Sequence, residues 1–316
     1  MTADPDLVTL DAVRAAAARI APYVHQTPIV ALTPTGISLK AESLHPVGAF
    51  KIRGAFNALL SLDAAERKRG VVAHSSGNHA QAVAYAARML GIVCAVVMPD
   101  NVSPVKLDAT KAWGAEVHLV PAAKRVEACD SLARARGAII IEPFDSLAIM
   151  AGTGTIGLEI LTQRPDMRFV FAPVSGGGLI GGLAAALVQS NPDIRVIGVE
   201  PELADDAQRS FRSRAIVRIS PEETARTIAD GLRVPQLGRL PWANIRAFVH
   251  DIVTVNEDEI RAAMKRIATE ARLVAEPSGA VALAGALALG LDPTTSVAIL
   301  SGGNVELGLY ASILAG

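Results

Sequence analysis

From about residue 70 onward, short β-branched runs alternate with longer helical ones, and this rhythm constrains the fold more than any other feature of the chain. Strand, helix and strand in repeated succession can bury their apolar sides only as a parallel sheet covered by helices. VVAHSS is followed by NHAQAVAYAARMLG, IVCAVVM by SPVKLDATKAWG, EVHLV by AAKRVEACDSLARARG, and AIIIEPF by a helix through IGLEILTQ. FVFAPVS, GGLAAALVQS and RVIGVE continue the pattern. After a less regular charged stretch come DIVTVN with EDEIRAAMKRIATEAR, then SGAVALAGALALG and SVAILSGGN. The predicted class is α/β. No linker, low-complexity tract or repeat marks a domain boundary, and 316 residues, 51% of them hydrophobic, suffice for one large core or two joined lobes.

Thirty basic against thirty-one acidic side chains, scattered along the chain, argue against a nucleic-acid or anionic-membrane partner. Cys94 in an apolar run and Cys129 in a predicted helix offer neither a disulfide framework nor metal-ligand spacing, so a reducing cytoplasm is the expected home. The opening MTADPDLVTLDAVRAAAARI carries acids early and lacks a basic start and apolar core; it reads as an amphipathic helix, not a secretory signal. LAGALALGL is too short for a bilayer span, and no membrane segment is expected.

In α/β folds, ligands gather where strands end and helices begin, because helix N-termini point free N–H groups there. The strand ends to inspect are SSGNH, SGGGLIGG, EPELADD and SGGN. SGGGLIGG, residues 175 to 182, can wrap a phosphate in consecutive amides, or simply make a tight turn. Gly176, Gly178 and Gly181 also satisfy G-x-G-x-x-G, with Glu200 about 20 residues on, so a nicotinamide-dependent oxidoreductase is a competing class. In SSGNH, Asn78 either caps a helix or touches a ligand, while His79 alone reads as structural. EPELADD offers Glu200 and Asp206, with Glu202 and Asp205 beside them, as hard oxygen ligands; a solvated acidic loop is the plain alternative.

Lys51 follows Gly48, Ala49 and Phe50, and Ile52, Ala55, Phe56, Leu59 and Leu60 follow it at helical spacing. That places Lys51 at the start of a buried helix, where desolvation and the positive helix end both lower its pKa toward a nucleophilic neutral amine. The alternative is a lysine whose ammonium reaches the surface.

Taken together, HQTPIV, KAESLHPVGAFKIRGAFNAL, HSSGNHAQAVAYAA, MPDNVSPVKLDAT, AGTGTIGLEIL, APVSGGGLIGGLA, GVEPELADD, TIADGL, EPSGAVALA and SGGNVE span nearly the whole chain in order. They resemble the fold-type II (tryptophan synthase β-like) pyridoxal-phosphate enzymes, in the branch holding threonine and serine dehydratases and serine racemase. The resemblance implies a small lobe over residues 66–147 against a large cofactor-binding lobe from 1–65 and 148–316, closing over substrate, in a homodimer. It assigns Lys51 to the Schiff base with pyridoxal 5'-phosphate and to the base that takes the substrate's α-proton. Phe50 would pack the ring, Asn78 contact its phenolic oxygen, Ser175, Gly176, Gly177, Gly178 and Leu179 surround the phosphate, Gly231 lie against the cofactor, and Ser301 meet the pyridine nitrogen. Ser75, Ser76, Gly77, Asn78 and His79 would hold the substrate carboxylate. Glu200, the Ala204 carbonyl and Asp206 match the branch's Mg²⁺ or Mn²⁺ site.

A serine facing the pyridine makes the ring a milder electron sink than a carboxylate would, which favours loss of a β-leaving group. The implied reaction converts threonine, serine or a similar small 3-hydroxy amino acid to a 2-oxo acid and ammonia. Ser76, alanine in many threonine dehydratases, can exchange a proton on the face opposite the lysine, so a serine- or aspartate-type racemase or a 3-hydroxyaspartate dehydratase is the alternative. Three positions depart from the pattern: Ala49 and Ser175 replace a common serine and a common glycine, and Thr153 stands where glutamine is common. Ala49 is expected to matter most, as it removes a hydroxyl beside the lysine. The chain ends soon after SGGNVE, so no regulatory domain and no feedback inhibition by isoleucine are expected.

Overall fold

The computed structural model describes residues 4–75 and 77–316. Ten strands form two sheets: β1 (Ile29–Ala31), β2 (Ser38–Ala41), β3 (Val71–His74), β4 (Cys94–Pro99), β5 (Glu116–Val120), β6 (Ile139–Ile140), β7 (Phe169–Pro173), β8 (Arg195–Pro201), β9 (Asp251–Val255) and β10 (Ser296–Leu300). The larger sheet has the order β1-β2-β10-β7-β8-β9 and the smaller β5-β4-β3-β6. Every pair is parallel except β1 with β2. The β-branched runs thus fold as expected, because strands covered on both faces must be apolar throughout: every residue of β4 and of β10 is buried.

Two elements escape the sequence pattern. β2, SLKA, is buried throughout although it contains a lysine, and AIIIEPF yields only the two-residue edge strand β6 before the chain turns away. The helix starting at Glu257 ends at Arg266 and continues as a π-turn through Ile267–Ala271, closed by Arg272 in the left-handed region. Among the helices that cover the sheets, Leu147–Gln163 and Gly178–Ser190 cross closely. A Cβ on Gly182 would lie 1.9 Å from the Met150 carbonyl oxygen, so only glycine permits that approach.

The helix Lys51–Ser61 belongs to the smaller sheet's core. Phe56 stacks on Tyr23 with centroids 5.0 Å apart and meets Tyr85 edge-on at 6.0 Å, within a cluster that includes Val83, Val96 and Met98. Its other anchor is ionic. Arg53 donates through Nε and Nη2 to both oxygens of Glu42, at 2.7 and 2.9 Å, and through Nη1 and Nη2 to both oxygens of Glu159, at 2.7 and 2.9 Å. Thr27 Oγ1 donates to Glu42 at 2.6 Å, and Lys40 reaches the Thr27 carbonyl, Gln163 and Glu159. Arg53, Lys40 and Glu42 are all fully buried. Burial alone would raise the Glu42 carboxyl, but the Arg53 charge and the His45 and Arg53 hydrogen bonds outweigh it and hold the group well below the usual carboxylate range.

Removing one partner from such a set strands the others without compensation, so Arg53→Met is expected to cost about 3–5 kcal/mol in urea unfolding; a loss below about 1 kcal/mol would contradict the role given to this network. Because the folded-state pKa of Glu42 is depressed, its stabilisation is present above pH 4.5 and is lost as pH falls further; the variant should lack that acid-side contribution.

Candidate active site

A cavity of about 680 Å³ opens where the parallel strands of both sheets end: His74 closes β3, Pro99 closes β4, Pro173 closes β7, and Ser301 follows β10. Lys51 starts its helix at this cavity and lines it. Its Nζ donates to the Pro143 carbonyl at 2.7 Å and lies 5.1 Å from the centroid of the Phe50 ring. Burial lowers its pKa to about 8, which leaves a reactive fraction of neutral amine near neutral pH. The surface-reaching alternative does not describe this side chain.

Ser175 to Leu179 form the turn between β7 and the helix Gly178–Ser190. The Gly177 N–H closes the turn onto the Val174 carbonyl at 3.0 Å, while the N–H groups of Gly176, Gly178 and Leu179 have no acceptor among the described residues and border the cavity. Gly177 has φ +88 and Ser175 φ 55. The left-handed backbone is the physical reason a glycine is common at position 175; here the serine hydroxyl donates to the Gly231 carbonyl at 3.2 Å. Part of the glycine requirement is also internal, since a Cβ on Gly176 would meet the Phe144 ring at 2.5 Å. Gly231 lines the same wall, its N–H held by Ser278 Oγ at 2.9 Å. Ser301 Oγ has only a 3.5 Å contact to the Ser278 carbonyl and keeps hydrogen-bonding capacity toward the cavity.

Asn78 does not cap its helix; Gly77 occupies that position. Its amide nitrogen donates to Glu276 Oε1 at 2.6 Å and its oxygen accepts from Asn304 Nδ2 at 2.8 Å, which fixes the side chain at the cavity edge. Burial first, and the Asp230 charge second, push the Glu276 carboxyl up to about 8, so near neutral pH it is largely protonated. A Cβ on Gly302 would sit 2.1 Å from Glu276 Oε1, so that glycine makes room for the acid. At His79, burial and then the Lys51 charge lower the pKa to about 3, and a ring nitrogen bonds the Ile141 carbonyl at 2.9 Å. Ser75 and Gly77 line the cavity, with the Gly77 N–H donated to Ser75 Oγ at 3.1 Å. Ser76 lies outside the described residues.

Of the departures from the resemblance, Ala49 is fully buried in an isolated bridge with Gly302 and does not line the cavity, so a hydroxyl missing there is not missing from the pocket wall. Thr153 donates to the carbonyls of Met150 and Gly178, at 3.0 and 2.9 Å, and so supports the start of the helix Gly178–Ser190 from behind.

The acidic stretch lies apart from this cavity. Glu200 lies near the end of β8 and Asp206 starts a helix; both are buried, and Glu200 Oε1 and both Asp206 carboxylate oxygens have no partner among the described residues. Burial first, and neighbouring carboxylates after it, push both carboxyls up. Glu202 is exposed and Asp205 pairs with Arg209, so neither joins them. Among the described residues no three acidic, histidine or cysteine side chains converge; a cation here would have to be completed by the buried Ala204 carbonyl and water.

The family description "Pyridoxal-phosphate dependent enzyme" matches residues 20–302. The chain belongs to this family. It is 40% identical to a serine racemase of Oryza sativa subsp. indica, over 95% of this chain and 92% of that one. To the L-threo-3-hydroxyaspartate ammonia-lyase of Saccharomyces cerevisiae it is 37% identical, over 94% of each. A solved threonine deaminase from T.th. superposes with a TM-score of 0.90 at 42% identity, covering 95% of this chain and 99% of that one. The parallel sheets covered by helices are those of fold-type II pyridoxal-phosphate enzymes.

The residues present fit that cofactor: open amides at a helix start suit a phosphate dianion, Lys51 stands at the same cavity, and Ser301 offers a hydroxyl. The dinucleotide reading fails on a physical point, because Glu200 would have to reach a ribose, yet it is 1% exposed and no part of the cavity wall. Glu276, Asn304 and Pro143 are site residues that motif reading passed over; the first two stood inside EPSGAVALA and SGGNVE without a role. No helix is long and apolar enough to cross a membrane among the described residues.

Glu276 carries a testable pH signature. Its folded pKa is raised above 4.5, so between about pH 4.5 and 8 the folded state holds the extra proton and stability falls as pH rises. Glu276→Gln keeps an acceptor for Asn78 and removes this loss, so its melting temperature relative to the parent should climb steadily from about pH 5 to about pH 8. A flat difference across that range would show that Glu276 does not titrate there.

Proposed function

We propose that the protein is a pyridoxal-phosphate-dependent ammonia-lyase, a carbon–oxygen lyase that converts L-threonine, L-serine or a similar 3-hydroxy amino acid to a 2-oxo acid and ammonia. The observation carrying this reading is that one cavity joins a half-buried lysine of lowered pKa, an amide cradle and a serine hydroxyl. Pyridoxal phosphate, when bound, supplies the electron sink that accommodates the charge left at the substrate's α-carbon. Gly176, Gly178 and Leu179 would hold its phosphate through their N–H groups, Ser301 its pyridine nitrogen, Asn78 its phenolic oxygen, and Phe50 and Gly231 its ring. Lys51 Nζ, positioned by the Pro143 carbonyl, is the covalent anchor and then the base that accepts the α-proton. The β-hydroxyl leaves with a proton as water, and the released enamine takes up one water on its way to oxo acid and ammonia. No external oxidant is needed.

The amides around Ser75 to His79 are proposed to bind the substrate carboxylate, and Ser76 to serve as a second base if the racemase alternative holds. The small lobe is proposed as residues 66–147 and the large lobe as 1–65 with 148–316, supported by the smaller sheet spanning β3 to β6 and the larger sheet drawing on both flanking segments. A homodimer is proposed with them; exposed Leu44 and Leu307 supply apolar surface. Two buried, unbridged cysteines suit the cytoplasm.

Purified protein should be yellow, borohydride should bleach it, and peptide mapping should find the reduced cofactor on Lys51; Lys51→Ala should lower turnover of hydroxy amino acids by at least roughly 1,000-fold. A colourless protein that cannot be reconstituted would overturn the reading.

We also propose Glu200, the Ala204 carbonyl and Asp206 as a Mg²⁺ or Mn²⁺ site, supported by the buried, unpartnered carboxylate oxygens. Millimolar Mg²⁺ should raise the melting temperature, chelator should lower it, and Asp206→Asn should respond to neither. An identical response from parent and variant would remove the site.

A further inference from the structure

Among the described residues, three that are not glycine have a left-handed backbone: Ser175, Arg214 and Arg272. Arg214 and Arg272 each close a helical segment, where that conformation is routine. Ser175 closes none. It follows β7 and opens the turn at the cavity with φ 55, in a conformation that is strained for a residue with a Cβ and free of that cost for glycine. A residue held under strain at a ligand site points to something that the strain secures.

The hydroxyl of Ser175 supplies it. From Ser175 to Gly178 the serine is the only residue with a side chain, so no other member of the turn can be tied sideways to its surroundings. Its Oγ donates to the Gly231 carbonyl at 3.2 Å. The receiving turn is itself pinned: the Gly231 N–H donates to Ser278 Oγ at 2.9 Å, the Ile228 N–H to Glu257 at 2.7 Å, and the Leu232 N–H to the Ala229 carbonyl at 2.9 Å. Ser278 is buried in the first turn of the helix Pro277–Leu289, and its carbonyl is the contact of Ser301 Oγ. Ser175, Gly231, Ser278 and Ser301 thus form one chain of contacts along the cavity wall, from the amide cradle to the hydroxyl proposed for the pyridine nitrogen.

We infer that Ser175 is a positioning residue for the cofactor: tied to the Gly231 carbonyl, it holds the amides of Gly176, Gly178 and Leu179 in the arrangement that receives the phosphate. The inference rests on the phosphate site proposed above and deepens it. A glycine at 175 would leave the turn free to sample other conformations, and phosphate binding would have to order it; the serine meets part of that ordering cost in advance. The hydroxyl acts on the turn and not on the phosphate, which distinguishes it from a direct ligand.

The test titrates the cofactor-free chain with pyridoxal 5'-phosphate, followed by absorbance, for the parent, Ser175→Gly, Ser175→Ala, Ser278→Ala and the double variant Ser175→Gly/Ser278→Ala. Ser175→Gly and Ser175→Ala should each weaken binding roughly 3- to 10-fold, the effect of one lost hydrogen bond. Melting of the cofactor-free chain separates positioning from stability. Ser175→Gly should melt close to the parent, because relief of the left-handed backbone offsets the lost bond, whereas Ser175→Ala keeps the strain and should melt lower. Ser175 and Ser278 both act through the Gly231 turn, so the double variant should bind about as weakly as the weaker single variant. Unchanged affinity in Ser175→Gly, or a loss matched by an equal loss of cofactor-free stability, would overturn the role. Additive losses in the double variant would overturn it in favour of a direct phosphate ligand. If pyridoxal phosphate does not bind the parent at all, the cofactor site fails, and inorganic phosphate becomes the probe: it should raise the melting temperature of the parent more than that of Ser175→Gly, and equal rises would overturn the positioning role.

Discussion

The position of Lys51 depends on a buried arginine two residues away. Arg53 lies in the first turn of the same helix and binds Glu42 and Glu159 at once, joining the turn after β2 to the helix Leu147–Gln163. That clamp adds to packing on two faces of the helix Lys51–Ser61: Phe56 and its aromatic neighbours on one, and on the other a close approach to Leu147–Gln163, where Asn57 donates to the Ala148 carbonyl at 2.6 Å and a Cβ on Gly152 would lie 2.6 Å from the Arg53 carbonyl oxygen. With it, the helix is fixed to both halves of the molecule, and its N-terminus is placed where strands of both sheets end. Burying this many charges contributes little net stability over an apolar alternative. What it supplies is a single geometry, as every oxygen of Glu42 and Glu159 has a directional donor.

That geometry makes Lys51 usable. A lysine at a surface helix start would remain an ammonium, but here burial brings the amine toward neutrality while one carbonyl, from Pro143, orients it. The Pro143 carbonyl comes from the segment that follows β6, an edge strand cut to two residues. After those two residues the chain turns Pro143 and Phe144 into the cavity wall.

The sequence was legible wherever local chemistry and tertiary role coincide. Parallel strands buried on both faces must be apolar, so VVAH, CAVVMP and SVAIL could be read directly, and the glycines of SGGGLIGG announced a strand-to-helix turn. It was illegible where the stabilising partner is remote. β2 looks unlike a strand because Lys40 is in it, and that lysine is accepted inside by Glu159 and Gln163, more than a hundred residues away, together with the Thr27 carbonyl. Glu276 escaped for the same reason. Its effect is exerted through Asn78, 198 positions distant, and through the absence of a Cβ at Gly302. Ala49 was overvalued because adjacency to Lys51 in sequence suggested adjacency in the pocket, whereas the bridge to Gly302 turns its side chain into the core.

Similarity to relatives with racemase, threonine deaminase and 3-hydroxyaspartate ammonia-lyase names is close to equal, so the choice among these activities rests on local residues and not on overall similarity. Lys51 is brought toward neutrality by burial and oriented by the Pro143 carbonyl, and neither depends on the side chain that a substrate carries.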